Sequence, residues 1–462
     1  MNLIFYKNLI WVYYKNKDYY SFIILISRLT FRDALLRSFN RFSRVRFTEE
    51  NSSVSIKSFE ISGVFCITAG VPLVLVFAIR GSPAMFALGT LMLAIAALRR
   101  DGKSAVWTKL KSVFSQVHFA VLAVFFVFSA LTIVYSPDVK RSVHLLIWEF
   151  SVPIVLAGTA TALFPRGMEP FAGKWLLAGI GLTAALLIAD IQLGFPMLKA
   201  LQIKPSVHDY NRATVTISIL IIPAFALLSI LKLNKPDWRL IVLASLVGLL
   251  SSIAIFMGVS ETAKMALIIS IIGFGFFKFL GKGAVTAYAI GMTVLIALQP
   301  YWGDIISTAY DAVKSNHLVL FNSALERIEI WQSYGAATRI HLLMGTGFGS
   351  SGRLELTSII AEVAPEYQRF LGAWHPHNNF LQIWSETGIF GGLLLWLFMM
   401  VIVVKARAFT RSLSPAIFAY IATVSAIALI SHGAWQAWSI TAIGAGAMLL
   451  AVAARGQAAH AD

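Results

Sequence analysis

Leu240-Ile241-Val242-Leu243-Ala244-Ser245-Leu246-Val247-Gly248-Leu249-Leu250-Ser251-Ser252-Ile253-Ala254-Ile255-Phe256-Met257 contains no charged side chain and no proline. A helix rises about 1.5 Å per residue, so roughly 20 such residues cross a hydrocarbon core about 30 Å thick. Working outward, eleven further apolar runs of comparable length lie near 60–79, 82–98, 113–135, 142–164, 174–194, 213–231, 263–279, 284–300, 387–405, 413–431 and 434–454. The composition agrees: 58% of the 462 residues are hydrophobic, 13% are charged, and the mean hydropathy is +0.75. Ordinary soluble domains do not combine these values. The expected fold is therefore an all-α polytopic membrane protein of about twelve transmembrane helices.

The net charge of +16 comes from 38 Lys+Arg against 22 Asp+Glu. In a membrane protein such an excess is sorted to cytoplasmic loops. No basic run interleaved with aromatics follows the N-terminal segment, so nucleic acid is not an expected partner. Cys66 is the sole cysteine, which excludes an intrachain disulfide and a cysteine metal site. Residues 1–57 form a basic N-terminal segment carrying Arg28, Arg32, Arg37, Arg41, Arg44 and Arg46, with only a short apolar run, Phe22 to Ile26, and no signal-peptide cleavage pattern. An amphipathic surface helix and an unstructured start both fit it. With that end in the cytoplasm, twelve spans place the loops at Arg99–Lys103, Lys232–Arg239, Lys278–Lys282 and Lys405–Arg411 inside, as the positive-inside rule requires. The expected organisation is a cytoplasmic segment 1–57, helices 1–9 in 58–300, a large periplasmic loop 301–386, helices 10–12 in 387–455, and a cytoplasmic tail 456–462.

The 301–386 loop is too long for a connector and too polar for a span. Within it, Ser323-Ala324-Leu325-Glu326 has capping-box spacing, and the pattern predicts a helix over about 324–341. Leu325, Ile328, Trp331 and Gly335 are expected on its apolar face, with Arg327 and Glu329 elsewhere. Gly345-Thr346-Gly347-Phe348-Gly349 then reads as a turn; as a phosphate cradle it lacks both a preceding strand and a Gly-Lys-Ser/Thr ending. The loop closes on Trp374-His375-Pro376-His377-Asn378-Asn379-Phe380, with Glu386 and Gly388-Ile389-Phe390-Gly391-Gly392 following. Polar and titratable groups at the mouth of a span point to function.

These residues resemble the O-antigen ligase and O-antigen polymerase family of bacterial inner-membrane glycan transferases. His377-Asn378 with Gly388 and Gly391 downstream is similar to that family's His-Asn, nine-residue spacer, Gly-x-x-Gly pattern. Asn211-Arg212 opening a span, the turn Ser260-Glu261-Thr262-Ala263-Lys264, and Leu325-Glu326-Arg327-Ile328 with Trp331 resemble its other polar positions, although relatives often carry Ser-Arg where this chain has Glu261-Thr262. The resemblance implies metal-independent, cofactor-free glycosyl transfer from an undecaprenyl-diphosphate-linked glycan to the lipid A core, at the periplasmic face of the inner membrane. His377 would be the general base. Arg212 and Arg327 would bind the diphosphate, with His375, Asn378 and Lys264 as further substrate contacts.

Elementary chemistry is compatible with this. Planar guanidiniums suit a diphosphate whose charge grows as it leaves, and a neutral imidazole suits removal of a hydroxyl proton. Other readings of the residues stay open. His375, His377 and Glu386 are zinc-ligating types. Arg212 would serve equally as a snorkelling helix-start cation, and Arg327 as a partner of Glu326 or Glu329. Asp190 and Glu149, inside apolar runs, suit either paired structural groups or a proton path in a transporter of lipid-linked glycan. The motifs do not separate a ligase from a polymerase, and nothing in them fixes an oligomeric state.

Overall fold

The computed structural model describes residues 49–230, 238–313, 322–407, 409 and 413–458, and among them every regular element is helical. Most of the basic N-terminal segment, the Lys232–Arg239 loop up to Asp237, part of the Lys405–Arg411 loop and the last four residues lie outside the described residues. The long helices, in chain order, are α1 (Ser55–Phe77), α2 (Ser82–Phe114), α3 (Val117–Tyr135), α4 (Val139–Leu163), α5 (Glu169–Gln192), α6 (Val207–Ser229), α7 (Trp238–Met257), α8 (Glu261–Leu280), α9 (Lys282–Ala297), α10 (Trp302–Val313), α11 (Asn322–Ile340), α12 (Asn379–Ala406), α13 (Ser414–Ile430) and α14 (Ala437–Ala458).

Ten of these are long and apolar enough to cross a membrane, which makes the chain a polytopic helical membrane protein. Each of the twelve expected runs is helical, but the count of about twelve spans needs correction to ten or eleven among the described residues. The run at 284–300 is not one straight helix. It ends at α9 and turns by 57° into the next helical segment, with Pro300 in the short link where a continuing helix would need an amide donor. The run at 413–431 gives α13, a shorter apolar helix of 17 residues.

The chain folds as two compact units, 1–107 with 163–260 and 108–162 with 261–462. In the first, α5 packs on α6, α7 and the turn of π-helix at Cys66–Gly70 inside α1. Gly179 permits that last contact, since a Cβ there would lie 2.4 Å from Ala69 Cα. Close backbone approach through small residues is how helices gain dispersion contacts where lipid removes the hydrophobic drive. Asp190 is not a proton path: its carboxylate accepts from Met197 N at 2.6 Å and from the Tyr210 hydroxyl, fixing the turn between α5 and α6.

In the second unit, α8 packs along α13, and α12 packs on α3, α9, α11 and α13. Glu149 is likewise structural, accepting from Ala437 N at 2.8 Å at the start of α14. The 322–386 region has its own core, built from Trp331, Tyr334, Leu354, Leu371 and Leu381. That core is why the long polar segment is ordered.

α12 is broken at Gly388, where φ is 63° and ψ is −158°. This region of backbone space is open essentially only to glycine. A side chain would also collide, since a Cβ would stand 2.3 Å from Leu343 O. The break lets Ile389 N bond Leu342 O at 2.8 Å, so the chain after α11 is stitched into the gap. Before the break, Gln382, Ser385, Glu386 and Thr387 are all buried; after it the helix is apolar and largely open. Polar groups at that depth are tolerated because protein surrounds them. Gly388→Ala is expected to abolish recovery of monodisperse folded protein, checked by size-exclusion chromatography of the detergent extract. A sharp, wild-type-like peak would refute this account of the break.

Candidate active site

The site is built around the loop from Ala373 to Asn378. Helix α11 presents Arg327, Trp331 and Tyr334 at spacings of four and three residues, which is one face. Trp331 Nε1 donates to Pro376 O at 2.8 Å, and the Tyr334 hydroxyl donates to Ala373 O at 2.6 Å. Two points of the loop are thereby pinned to a buried face. Arg327 shares that face, which corrects the expectation that it projects away from Trp331. The glutamate two residues on does point outward, where Glu329 pairs with Arg369 at 3.2 Å.

His377 has φ of +55°, a left-handed backbone that costs a non-glycine residue of order 1 kcal/mol or more. Its neighbours over-determine it. Asn378 caps α12 by accepting from Leu381 N at 3.1 Å, while its amide donates to Gln299 Oε1 at 2.8 Å. Asn378 is fully buried and both ends of its amide are engaged, so its place is that of a cap holding His377 in position, not of a side chain offered to substrate. His377 N donates to His375 Nδ1 at 3.3 Å, and the two rings meet edge to face at 4.3 Å. Among the six expected site residues, His375 is thus the one in direct ring contact with His377.

His377 Nδ1 lies 3.0 Å from Ser431 O, at the end of α13. A carbonyl can only accept, so Nδ1 carries the proton and the lone pair sits on Nε2. Burial and then the Arg327 guanidinium hold His377 below the ordinary histidine range, with the Ser431 carbonyl opposing them. Burial, His377, His432 and Arg141 hold His375 well below it too. Both rings are neutral at neutral pH.

The preceding carbonyl, Ile430 O, accepts from Thr262 Oγ1 at 3.4 Å, so the start of α8 docks beside the residue that holds His377. There Lys264 pairs with Glu261 at 3.0 Å. Glu261 is also the leading opposite charge felt by Arg327, whose guanidinium is pulled below its usual range mainly by burial. Arg327 makes no hydrogen bond or close ion pair with another described residue. Its donors are oriented by burial and charge alone, beside a neutral imidazole. Arg212 belongs to the other unit, in the second turn of α6, with Nη1 3.5 Å from Ile79 O.

Glu386 is no part of a metal site. Its buried carboxylate accepts from Gly349 N at 2.6 Å, Trp435 Nε1 at 2.6 Å, Gln382 Nε2 at 2.8 Å and Ser351 N at 3.4 Å. Arg141 donates to the Gly349 and Ser351 carbonyls at 2.5 and 2.8 Å, placing a cation behind the same turn. The glycine cluster is a turn, as its spacing suggests, and the anion it cradles is internal. Gln382 Oε1 in turn accepts from Ala434 N at 2.8 Å. This hub ties the loop, α12 and the 431–436 segment into one body. Among the described residues no group of His, Cys, Asp and Glu is arranged to hold a metal ion.

Sequence reasoning missed Ser431, Gln299, Arg141 and the hub. Ser431 acts through its backbone carbonyl, which leaves no mark on residue type, and the others lie far along the chain from the motifs they support.

Residues 244–397 match the family model described as O-antigen ligase. A candidate polysaccharide ligase of Rickettsia felis is 25% identical over 204 residues, covering 42% of this chain and 46% of that protein. A second, from Rickettsia prowazekii, is 26% identical over 203 residues, covering 43% and 47%. The chain spans about half the length of these curated relatives. The matched segment contains Lys264, Arg327, His375, His377, the Gly388 break and the Glu386 carboxylate, and over that segment the chain is similar to the O-antigen ligase family.

Proposed function

We propose that this protein joins a glycan, delivered on undecaprenyl diphosphate, to the core oligosaccharide of lipid A, with its site on the periplasmic face of the bacterial inner membrane. The observation that carries this reading is the pairing of His377, whose Nε2 lone pair is freed by the Ser431 carbonyl, with the half-buried Arg327 guanidinium beside it. An acceptor hydroxyl attacks the anomeric carbon of the lipid-linked glycan. Its proton passes to His377 Nε2 as the new C–O bond forms and the bond to the diphosphate breaks. Arg327 takes the growing charge of the departing undecaprenyl diphosphate. Lys264, which pairs with Glu261 at the start of α8, is assigned to a further substrate contact. The family description and the ligase descriptions of the two Rickettsia proteins support a ligase over a polymerase.

The test uses protein in lipid, a lipid-linked single-repeat donor, and lipid A with or without its core sugars. Glycan appearing on lipid A only when the core is present is the expected result. Lengthened lipid-linked chains would mean a polymerase, and no new glycosidic bond would mean a transporter. In the same assay Arg327→Lys should lower turnover about 100-fold, because a point charge replaces a planar fork. Equal turnover would make Arg327 a surface charge.

A further inference from the structure

Trp374 opens the His-bearing loop, yet the chemistry above does not use it. Its side chain is 50% exposed although the backbone on both sides is pinned, through Ala373 O by Tyr334 and through Pro376 O by Trp331. A large aromatic on a rigid segment, left half open, is a presented surface. The guanidinium carbons of Arg353 and Arg141 lie 5.6 and 6.0 Å from the indole centroid. Arg353 also reaches Asp138 at 3.5 Å, and these two side chains keep 33% and 32% of their surface open. Trp374 has two guanidiniums and, through Arg353, a carboxylate.

That combination matches a pyranose. The C–H face of the ring is apolar and slightly positive, and packs flat on an indole, whose face is negative. Its rim hydroxyls need both donors and acceptors, as in other small-molecule sites where a few polar groups orient an apolar contact. Arg353 supplies donors and Asp138 an acceptor. We propose that Trp374, Arg353 and Asp138 form a sugar subsite that stacks a pyranose ring of a glycan substrate at the entrance to the His377 site. The assignment rests on the glycan-transfer reading for its substrate class. The sugar belongs either to the lipid-linked donor or to the acceptor.

The test places the full chain in lipid nanodiscs with two lipid-free probes, the glycan repeat released from its carrier and the core oligosaccharide released from lipid A. Binding is read by saturation-transfer NMR for wild type, Trp374→Ala and Trp374→Phe. Trp374→Ala should weaken one probe at least about tenfold while Trp374→Phe stays close to wild type, and the probe that responds names the source of the sugar. In the transfer assay KM for that substrate should rise with little change in kcat. Unchanged binding of both probes to Trp374→Ala overturns the subsite. So does a loss shared equally by Trp374→Phe together with a lowered Tm, which marks a structural role, or a loss restored by changing the nanodisc lipid, which marks a membrane anchor. Trp374-dependent probe binding without any transfer would leave the subsite standing and remove the proposed reaction; normal transfer by Trp374→Ala with wild-type probe binding would do the reverse.

Discussion

His377→Ala should lower glycan transfer by roughly 10²–10⁴-fold, the range expected when a positioned general base is lost, with the folded protein recovered in normal yield. The pH profile makes the prediction more specific. The base works when neutral, and burial with the Arg327 guanidinium lowers its pKa, so wild-type activity should rise with pH along a limb whose midpoint lies below the ordinary histidine value of 6.5. Arg327→Gln removes one of the two lowering influences. The acid limb of its residual activity should therefore move to higher pH. Rates measured from pH 4.5 to 8.5 check both. An unmoved limb in Arg327→Gln would separate the two side chains electrostatically, and full activity of His377→Ala would end the base assignment.

Glu386→Ala is the second large effect, and it acts on stability. The substitution leaves the buried donors of Gly349, Trp435 and Gln382 without their common acceptor. Breaking one side of a buried, charged hydrogen-bond network costs roughly 3–5 kcal/mol. A fall in Tm of about 10 °C is expected in nanodiscs by tryptophan fluorescence, along with loss of activity. Glu386→Gln should fall between, since its amide keeps the shape while its NH₂ group must face a donor. Wild-type Tm in Glu386→Ala would mean that the glycine turn and the 431–436 segment are held by packing alone. Loss of activity at unchanged Tm would instead place Glu386 in the chemistry.

The two effects differ in kind because two neighbouring motifs do different work. The His-Asn pair and the Gly-x-x-Gly segment read alike in the chain, as polar or small residues interrupting an apolar pattern. In the structure, His377 is a half-buried imidazole held through Nδ1, Asn378 a buried cap, and Gly388 a backbone break with no side-chain role. Only His377 among them carries the proposed base. Arg327 shows the opposite lesson. Its sequence neighbours Glu326 and Glu329 suggested a solvated ion pair, but Arg369 satisfies Glu329 from outside, and helical geometry turns Arg327 toward the His loop.

Sequence alone determined that this is a helical membrane protein and where its helices lie, and it singled out the polar segment before α12 as the candidate site. Those properties are local: an apolar run must become a helix in lipid because each backbone amide has to be satisfied within its own segment. The burial of Glu386, the tautomer of His377 and the half-open indole of Trp374 were decided only by tertiary structure. Each depends on a partner distant in sequence, Ser431 for His377, Gly349 and Trp435 for Glu386, Arg353 for Trp374, and a hydrogen bond or burial between such partners exists only once the helices have packed.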